Sequence, residues 1–469
     1  MTKDLTIGNP ERTLLRFTLP MFVSVAFQQF YNMADSLIAG RFAGEDALAA
    51  VGASYPITMI FMAIAVGCNI GCSVVISNLF GAKRMDEMKT AISTTLISAF
   101  VLSGILTVAG VVLTSPMMRM IQTPANIFAD AALYLRIYTG GFLFLFLYNV
   151  CTGVFQSLGD SNTPLCFLIG SSVCNILLDL LFVAVFHWGV AGVAWATFLA
   201  QGAACLLAFF TLLRRITKIQ DSGKAKRFSL PMLGRIGKMA IPSILQQSFV
   251  SVGNLFIQGI INSYGSSVIA GYSAAIKLNT FAITAFTTMS NGLSSFTAQN
   301  IGAKKNDRVS RGYRAGNLMI LCFALPFCLL FVFAGRSMVG LFMTSESETA
   351  LSVGVEFLRI ISPFYFAVGI KLIADGVLRG AGNVVLFMIS TFSDLITRVV
   401  LAFVLSASLG VVGIWISWPV GWVLASALAV GFYIYSARVR RRKTGLRYDA
   451  AHQAPAAADD EGTPRRLDF

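Results

Sequence analysis

About a dozen apolar stretches, each roughly 20 to 30 residues long, follow one another along this chain. A helix of that length crosses a hydrocarbon core about 30 Å thick. Inside lipid every backbone N–H and C=O must find a partner within the spanning element, and these stretches lack the alternation of barrel strands. The sequence therefore predicts an all-α, polytopic membrane protein, with twelve transmembrane helices at about 13–40, 47–79, 91–115, 131–158, 163–186, 190–213, 235–263, 268–300, 312–343, 350–379, 384–408 and 411–437.

The composition agrees with this fold class. By count 56% of the residues are apolar and 12% are charged, whereas soluble globular domains are about a quarter charged. Residues 1–12 are polar, and the apolar stretch that follows continues to a full span without an Ala-x-Ala cleavage site. It is longer than the apolar core of a signal peptide, so we expect it to remain as the first transmembrane helix.

The distribution of charge predicts the orientation in the membrane. The chain carries 36 Lys and Arg against 22 Asp and Glu, a net charge of +14. The basic residues cluster after the second, sixth, eighth and twelfth predicted helices, while loops 262–267 and 344–349 are neutral or acidic. Basic loops stay cytoplasmic, so we expect both termini in the cytoplasm and a location in the plasma membrane. Orientation and attraction to anionic lipid account for the charge, and we expect no binding to nucleic acid.

Enzymatic and metal-site patterns are weak. All eight Cys fall within apolar helices, and Cys68 and Cys72, which share a helix face, have no nearby His or further Cys to complete a tetrahedral site. The two histidines, His187 and His452, are too far apart for a metal cluster or a catalytic pair. No zinc-protease, nucleophile-elbow or phosphate-loop motif occurs. We therefore expect neither an enzyme nor a cofactor.

The chain repeats itself. Four segment pairs keep one order and an offset near 220 residues: ISNLFGAKRMDEM (76–88) with TAQNIGAKKNDRV (297–309), LPMFVSVAFQQFYNM (19–33) with IPSILQQSFVSVGNL (241–255), GVFQSLGDSNTP (153–164) with GVLRGAGNVVLF (376–387), and GVAGVAWA (189–196) with GVVGIWIS (410–417). This pattern predicts a duplication of six helices, with lobes at 1–213 and 235–437, a cytoplasmic linker at 214–234 and a disordered cytoplasmic tail at 438–469. An even number of helices per repeat relates the lobes by an axis along the membrane normal, and such pairs hold substrate at their interface.

Two apolar helices of the first lobe carry carboxylates. On the first, Gln28, Asn32 and Asp35 share one helical face, and on the fifth, Ser172, Asn175 and Asp179 do the same. A charge inside the bilayer is costly, so such residues should face the bundle interior or a wet cavity and are functional candidates. Two carboxylates in one apolar bundle could exchange a proton, or could bind Na⁺ together with neutral oxygen ligands. They could also merely cross-link the two helices by hydrogen bonds.

LPMFVSVAFQQFYNMADSLIAGRF with ALAAVGASYP, the paired SNLFGAKRMDE and QNIGAKKNDR loops, and GVFQSLGDSNTP resemble the multidrug and toxic compound extrusion (MATE) family over about residues 10–437. The resemblance implies a twelve-helix, two-lobed antiporter that exports cationic or amphipathic compounds against an inward flow of H⁺ or Na⁺. The DinF-type branch of that family implies a cation-coupling site at Asp35, Asn175, Asp179 and Thr197, where Na⁺ could also bind. It places Pro20 at a bend of the first helix, although Pro20 could be an ordinary first-turn proline.

The second lobe departs from this pattern. Asn254 matches Asn32, but Ile257 stands where Asp35 stands in the first lobe. The other main branch of the family relies on acidic residues in helices seven and eight, which here offer Asn254, Gln258, Lys277 and Asn279. We therefore expect coupling in the first lobe. Lys371 with Asp375, and Asp394 with Arg398, stand at i, i+4, and we expect each pair to form an internal salt bridge.

Exporters of amphipathic cations use roomy cavities lined by aromatic, Met and amide side chains. The candidates for such a cavity are Gln28, Tyr31, Asn32, Tyr138, Tyr148, Asn149 and Asn254. We thus expect a monomeric, cation-coupled exporter of small organic cations or amphipathic drugs. The alternatives are a flippase for lipid-linked saccharides from the same superfamily and, from another class, a membrane-embedded enzyme or receptor.

Overall fold

The computed structural model describes residues 3–38, 42, 45–220, 222–342 and 347–452, and within them the chain contains no β-strand. The first half comprises α1 (Pro10–Ile38), α2 (Glu45–Gly81), α3 (Met85–Met120), α4 (Phe128–Gly140), α5 (Phe142–Ser157), α6 (Asn162–Asp179), which continues as a π-helical segment (Leu180–Val185), and α7 (Gly189–Thr217). The second half comprises α8 (Leu230–Asn262), α9 (Ser266–Gly302), α10 (Asn306–Phe333), α11 (Gly335–Gly340), α12 (Glu348–Ile361), a 3₁₀ turn (Ser362–Phe364), α13 (Tyr365–Gly380), α14 (Val384–Leu409) and α15 (Val411–His452).

The described helices contain up to eleven apolar membrane-spanning segments, and α1 corresponds to the remaining predicted span. Among the described residues, ten helical stretches are long and apolar enough to cross a membrane, and α4 with α5 adds an eleventh that is bent by 45°. The twelfth is α1, which is less apolar than the others because it carries Gln28, Gln29 and Asn32. The predicted all-α class and number of spans are confirmed.

Several predicted helices are not continuous. The stretch 131–158 breaks at Gly141, and the stretch 350–379 breaks at the 3₁₀ turn, where Pro363 supplies no N–H for a helical hydrogen bond. The stretch 312–343 ends at Phe333 and is followed by the separate short helix α11. The predicted end of the first helix, at residues 39–40, and residues 344–346 of the acidic loop lie outside the described residues.

Two apolar cores correspond to the two repeats, and each takes in the first turns of a helix from the other half. One core is built mainly from α2–α7 but includes Met232 and Ile236 of α8. The other is built mainly from α8–α15 but includes Leu14 and Phe17 of α1. Since α1 and α8 are equivalent helices in the duplication, the halves exchange these helix starts reciprocally.

The lobes approach most closely at one end of the bundle. An added Cβ at Gly71 of α2 would lie 2.3 Å from Ala240 Cα of α8, and one at Gly81 would lie 2.0 Å from the Gln299 carbonyl oxygen of α9. The equivalent of Gly81 in the second repeat, Gly302, stands 2.1 Å from the Asn78 carbonyl oxygen on the same measure. Glycine therefore permits backbone contact between the lobes at the end where the turns after α2 and α9 lie.

The two Gly-Ala-Lys turns at this end have the same backbone shape. Lys83, between α2 and α3, and Lys304, between α9 and α10, are the last residues of these turns and have φ values of 59° and 60°, in the left-handed region that residues other than glycine rarely adopt. The matching geometry is the local structural counterpart of the sequence repeat. We name this part of the molecule, with both Gly-Ala-Lys turns, the closed face.

The connection between the lobes is held against α3. It comprises residues 218–229, shorter than the predicted linker because α7 continues to Thr217 and α8 begins at Leu230. The backbone amides of Ser222 and Lys224 donate to Asp86 Oδ1, and those of Lys226 and Ser229 donate to the hydroxyls of Thr90 and Thr94. These acceptors are spaced by four residues, so they line one face of α3.

The last helix continues beyond its predicted end. α15 extends to His452, so the expectation of disorder from residue 438 is wrong for residues 438–452. This segment is rich in Arg, Lys and Ala, which favour helix, and contains no Pro. The rest of the predicted tail, residues 453–469, lies outside the described residues.

Candidate cation-coupling site

Three helices bring the predicted coupling residues together in the first lobe. α1 carries Asp35 and packs on α6, which carries Asn175 and Asp179, and α6 packs on α7, which carries Thr197. The Asp35 and Asp179 carboxyl groups lie within hydrogen-bonding reach of each other. Asp179 is fully buried and Asp35 is half-buried. The shared helical faces that the sequence predicted therefore converge on one point.

The Asn175 side chain connects Asp179 to α7. We assign the amide orientation that satisfies both of its neighbours. In that orientation Asn175 donates to Asp179 Oδ2 at 2.9 Å, and its oxygen accepts from the Thr197 backbone N–H at 3.0 Å. The amide thus presents an N–H group, rather than its oxygen, to the carboxylate pair.

Each carboxylate retains one oxygen that is buried and has no hydrogen-bond partner, Asp35 Oδ1 and Asp179 Oδ1. Buried polar atoms are nearly always paired, so these two oxygens are the atoms to which a cation, a proton or water would bind. Among the described residues no group of three or more His, Cys, Asp and Glu side chains converges. The candidate cation ligands are therefore these two carboxylates and neighbouring neutral oxygens.

Two tyrosines complete the surroundings of the pair. Tyr31, from α1, lies close to both carboxylates and approaches the Thr197 hydroxyl. Tyr134, from α4, also lies close to both carboxylates, and its ring stacks on Tyr138 with centroids 6.2 Å apart. Sequence reasoning missed Tyr134. It stands four residues before Tyr138 on the same helical face, and that spacing could have indicated it.

The remaining cavity candidates do not form one group. Gln28 is half-buried on α1, while Asn32 and Asn254 are exposed on α1 and α8. Tyr148 donates to the Pro164 carbonyl oxygen, at the start of α6, about 22 Å along that helix from Asp179. Asn149 donates at 2.9 Å to the Leu145 carbonyl oxygen of its own helix. Tyr148 and Asn149 therefore lie apart from the carboxylate pair.

Pro20 lies within α1, which the structure shows as one helix from Pro10 to Ile38. It stands in the third turn of the helix rather than the first, so the reading of Pro20 as an ordinary first-turn proline does not apply. The Ser24 hydroxyl donates to the Pro20 carbonyl oxygen at 2.9 Å. Pro20 lies just beyond Phe17, which packs in the second-lobe core, and before the part of α1 that holds Asp35.

In the second lobe, the charges form a different arrangement. Ile257 is fully buried in the second core. Lys371 Nζ lies 3.3 Å from Asp375 Oδ2, as predicted, and 3.7 Å from Asp394 Oδ2 of the next helix. The predicted Asp394–Arg398 pair is wrong, because Asp394 turns to Lys371 and the Arg398 guanidinium stacks over the Trp418 ring at 4.4 Å. The acidic groups of this lobe are therefore tied to a lysine.

The comparisons with known proteins decide the family. A family model, MatE, matches residues 20–181 and again residues 242–404, which together make up most of the chain and reproduce its internal repeat. The chain belongs to the MatE family. Members of this family are transporters and not enzymes, so the expectation that the chain is not an enzyme is confirmed, and so is the resemblance to the MATE family, while its DinF-type branch stays a prediction.

Relatives and solved structures match this chain along nearly its whole length. The probable multidrug resistance protein YpnP of Bacillus subtilis is 29% identical over 92% of this chain and 96% of its own. The multidrug export protein MepA of Staphylococcus haemolyticus is 23% identical over 92% of this chain and 94% of its own. A solved structure described as the outward-facing conformation of a multidrug resistance MATE family transporter is similar with a TM-score of 0.87 and 22% identity, covering 93% of this chain and 98% of the other. That likeness confirms the two-lobed fold.

Proposed function

We propose that this MatE protein is a proton-coupled exporter of cationic or amphipathic organic compounds, which acts as a monomer in the plasma membrane by alternating access. The observation that carries the proposal is the pair Asp35 and Asp179, whose carboxyl groups lie within hydrogen-bonding reach and each keep an orphaned oxygen. The names of the relatives support the substrate class, since YpnP and MepA are described as multidrug proteins.

The electrostatics of the pair explain how it could couple transport. Two ionised carboxylates at this distance repel each other strongly in a low-dielectric bundle. Binding of one H⁺ or Na⁺ removes most of that repulsion. The site with the ion bound and the site without it then differ by one unit of charge. A conformational equilibrium shifts only as far as the two states differ in affinity for the ligand. Loading the pair from one side of the membrane and releasing the ion to the other can therefore bias the movement of the lobes.

The orientation of Asn175 favours a proton over sodium. A sodium ion prefers oxygen ligands, but Asn175 offers Asp179 an N–H group, and its own oxygen is occupied by the Thr197 amide. The Thr197 hydroxyl is approached by Tyr31. In the amide orientation assigned to Asn175, a proton shared by the two carboxyl groups fits the site, whereas coordination of Na⁺ by Asp35, Asp179, Asn175 and Thr197 requires the opposite orientation.

The orientation in the membrane is inferred from the basic residues of the closed face. The closed face carries Lys83, Arg84, Lys304 and Lys305, and basic loops stay in the cytoplasm. The lobes are thus closed toward the cytoplasm, and the exposed amides Asn32 and Asn254 lie toward the far ends of α1 and α8. We propose that the structure represents an outward-facing state with both termini inside.

The test uses purified protein in proteoliposomes loaded with a fluorescent organic cation. A proton gradient imposed without sodium should drive dye movement, and a sodium gradient at equal pH on both sides should not. Movement driven by sodium alone would contradict the proton assignment. If neither gradient drives any of several cationic and amphipathic dyes, the exporter proposal fails.

A further inference from the structure

The segment before α1 lies between the two lobes on the closed face. We name residues 3–9 the N-terminal strap. Leu5 and Thr6 are almost completely buried, with 1% and 4% of their surface exposed, and Leu5 belongs to the second apolar core. A seven-residue segment without regular structure is seldom buried so deeply, because its backbone groups need partners.

Those partners come mostly from the second lobe. The Leu5 carbonyl oxygen accepts from Asn300 Nδ2 at 3.3 Å and from Arg308 at 3.2 Å. The Thr6 carbonyl oxygen accepts from Lys305 Nζ at 2.8 Å, and Arg308 also donates to the carbonyl oxygens of Ile7 and Gly8. Four consecutive carbonyl groups are thus satisfied by side chains at the end of α9 and the start of α10. The strap is effectively part of the second lobe.

Its contacts with the first lobe are fewer. The Lys3 backbone N–H donates to the Leu158 carbonyl oxygen at 3.2 Å, and Asp4 Oδ2 pairs with Lys83 Nζ at 2.6 Å. Beneath the strap, Gln299 accepts from the Leu5 backbone N–H at 3.0 Å and donates to the Ser157 carbonyl oxygen of the first lobe at 2.7 Å. These contacts join the two lobes at the face that must open if the cleft is to reach the cytoplasm.

We propose that the N-terminal strap is a conformational latch, which moves with the second lobe and holds the closed face shut through its contacts with Lys83 and Leu158. The proposal rests on alternating access between the lobes. Opening the face breaks the Asp4–Lys83 pair, the Lys3–Leu158 hydrogen bond and the Gln299–Ser157 hydrogen bond. It leaves the bonds from Asn300, Lys305 and Arg308 to the strap intact.

The Asp4–Lys83 pair is the charged part of the latch. Burial works to raise the pKa of the Asp4 carboxyl, but hydrogen bonds from Lys83 and Thr6 outweigh it, and the pKa lies below its ordinary value. Asp4 is therefore ionised at neutral pH. Lys83 is the left-handed residue of the turn that follows α2, so the pair connects the strap to the end of α2.

Hydrogen exchange measured by mass spectrometry on the full-length protein in nanodiscs tests the latch. Asp4→Asn keeps an acceptor for Thr6 and removes only the charge. It should increase deuterium uptake at least about twofold in peptides that cover residues 76–84 and 157–159, because the lobes part more often. Uptake at residues 5–8 should not change, since these residues stay with the second lobe. The charge exchange Asp4→Lys with Lys83→Asp should restore part of the protection, because it reforms the ion pair although lysine offers Thr6 no acceptor.

Glu348→Gln is the matched control. It removes another exposed ion pair, Arg336–Glu348 at 2.7 Å, which lies within the second lobe and should not affect the closed face. Unchanged uptake in Asp4→Asn, an equal rise in the control, or a rise confined to the strap itself would overturn the latch. None of these readings needs a transported substrate. Loss of proton dependence in the efflux assay would count against the proposed function and not against the latch.

Discussion

At the scale of single residues, Asn175 determines how Asp179 is held. It makes one hydrogen bond to Asp179 and one to the Thr197 backbone. A hydrogen bond to a charged group contributes about 1.5 to 3 kcal/mol, and that contribution changes as Asp179 gains or loses a proton. Asn175 should therefore adjust the ion affinity of the site without itself carrying the ion.

We expect Asn175→Ala to shift the pH at half-maximal efflux by about one unit, because each pKa unit corresponds to roughly 1.4 kcal/mol. The shift should be toward higher pH, since the variant loses the donor that stabilises ionised Asp179. Efflux measured against pH in proteoliposomes is the readout. Asn149→Ala is the control, because that amide bonds only to its own helix. An unshifted profile in Asn175→Ala would contradict the assigned role.

Asp160 is another carboxylate whose pKa is changed by its surroundings, and it lies outside the membrane spans. It accepts from the backbone amides of Asn162 and Thr163, from the Thr163 hydroxyl, and from Arg215 of α7. Burial works to raise its pKa, but the hydrogen bonds from Arg215 and Thr163 outweigh burial, and the pKa lies below its ordinary value of 3.8. This carboxylate fixes the start of α6, the helix that carries Asn175 and Asp179.

A lowered pKa in the folded state means that Asp160 stabilises the protein fully above pH 3.8 and loses that effect as the pH falls through its folded-state pKa. Asp160→Asn should therefore lower the Tm in detergent at pH 7. The difference from wild type should shrink on acidification below pH 3.8. A Tm difference that stays constant down to the lowest pH at which the protein remains folded would show that the charge is not responsible.

At the scale of elements, α13 and α14 share one cation. Lys371 serves Asp375 on its own helix and Asp394 on the neighbouring helix. Sequence spacing predicted the Lys371–Asp375 pair correctly but wrongly paired Asp394 with Arg398. The i, i+4 rule considers only residues of the same helix. The choice of partner is made by the packing of helices against each other, and spacing within a single helix carries no information about it.

Replacing Lys371 should therefore lower the stability of the fold more than replacing either Asp375 or Asp394. Lys371→Met removes the cation that pairs with both buried carboxylates, and breaking a buried pair in this way costs about 3 to 5 kcal/mol. Asp375→Asn leaves Lys371 paired with Asp394 and should be milder. The Tm in detergent, compared among Lys371→Met, Asp375→Asn and Asp394→Asn, is the measurement. Equal losses for the lysine and the aspartate variants would argue against a shared cation.

Helix breaks are a further feature that the sequence left hidden. The bend at Gly141, the 3₁₀ turn at Pro363 and the π-helical segment that follows Asp179 all fall inside stretches that hydropathy shows as continuous. Hydropathy measures whether a segment suits lipid, and a broken helix suits lipid as well as a straight one when its neighbours satisfy the freed backbone groups. The π-helical segment bears on the proposed function, because it begins directly after Asp179, a carboxylate of the proposed coupling site.

At the scale of the whole molecule, the duplication of six helices accounts for the two-lobed fold. Sequence differences between the two repeats account for the position of the candidate coupling site in the first lobe. The repeats predicted two lobes, and the convergence of Asp35 with Asp179 could be predicted because both stand on polar faces of apolar helices. The reciprocal packing of α1 and α8 into each other's cores could not be predicted, since it depends on how the lobes meet. Carboxylate oxygens that are buried and have no hydrogen-bond partner occur in both lobes, on Asp35 and Asp179 in the first and on Asp375 and Asp394 in the second. What distinguishes the second lobe is that Ile257 stands at the position of Asp35, and that Lys371 pairs with both Asp375 and Asp394.

The most direct measurement is proton-driven efflux by Asp35→Asn, Asp179→Asn and Asp375→Asn, compared in the same proteoliposomes at matched protein density. An amide keeps the shape of the carboxyl group but cannot release a proton, so the two first-lobe variants should each lose at least about tenfold in gradient-driven efflux while still inserting and folding. Asp375→Asn should retain about a third or more of wild-type efflux, with the same pH dependence. If Asp375→Asn is the more damaging change and shifts the pH profile, coupling lies in the second lobe and the site described for the first lobe is contradicted.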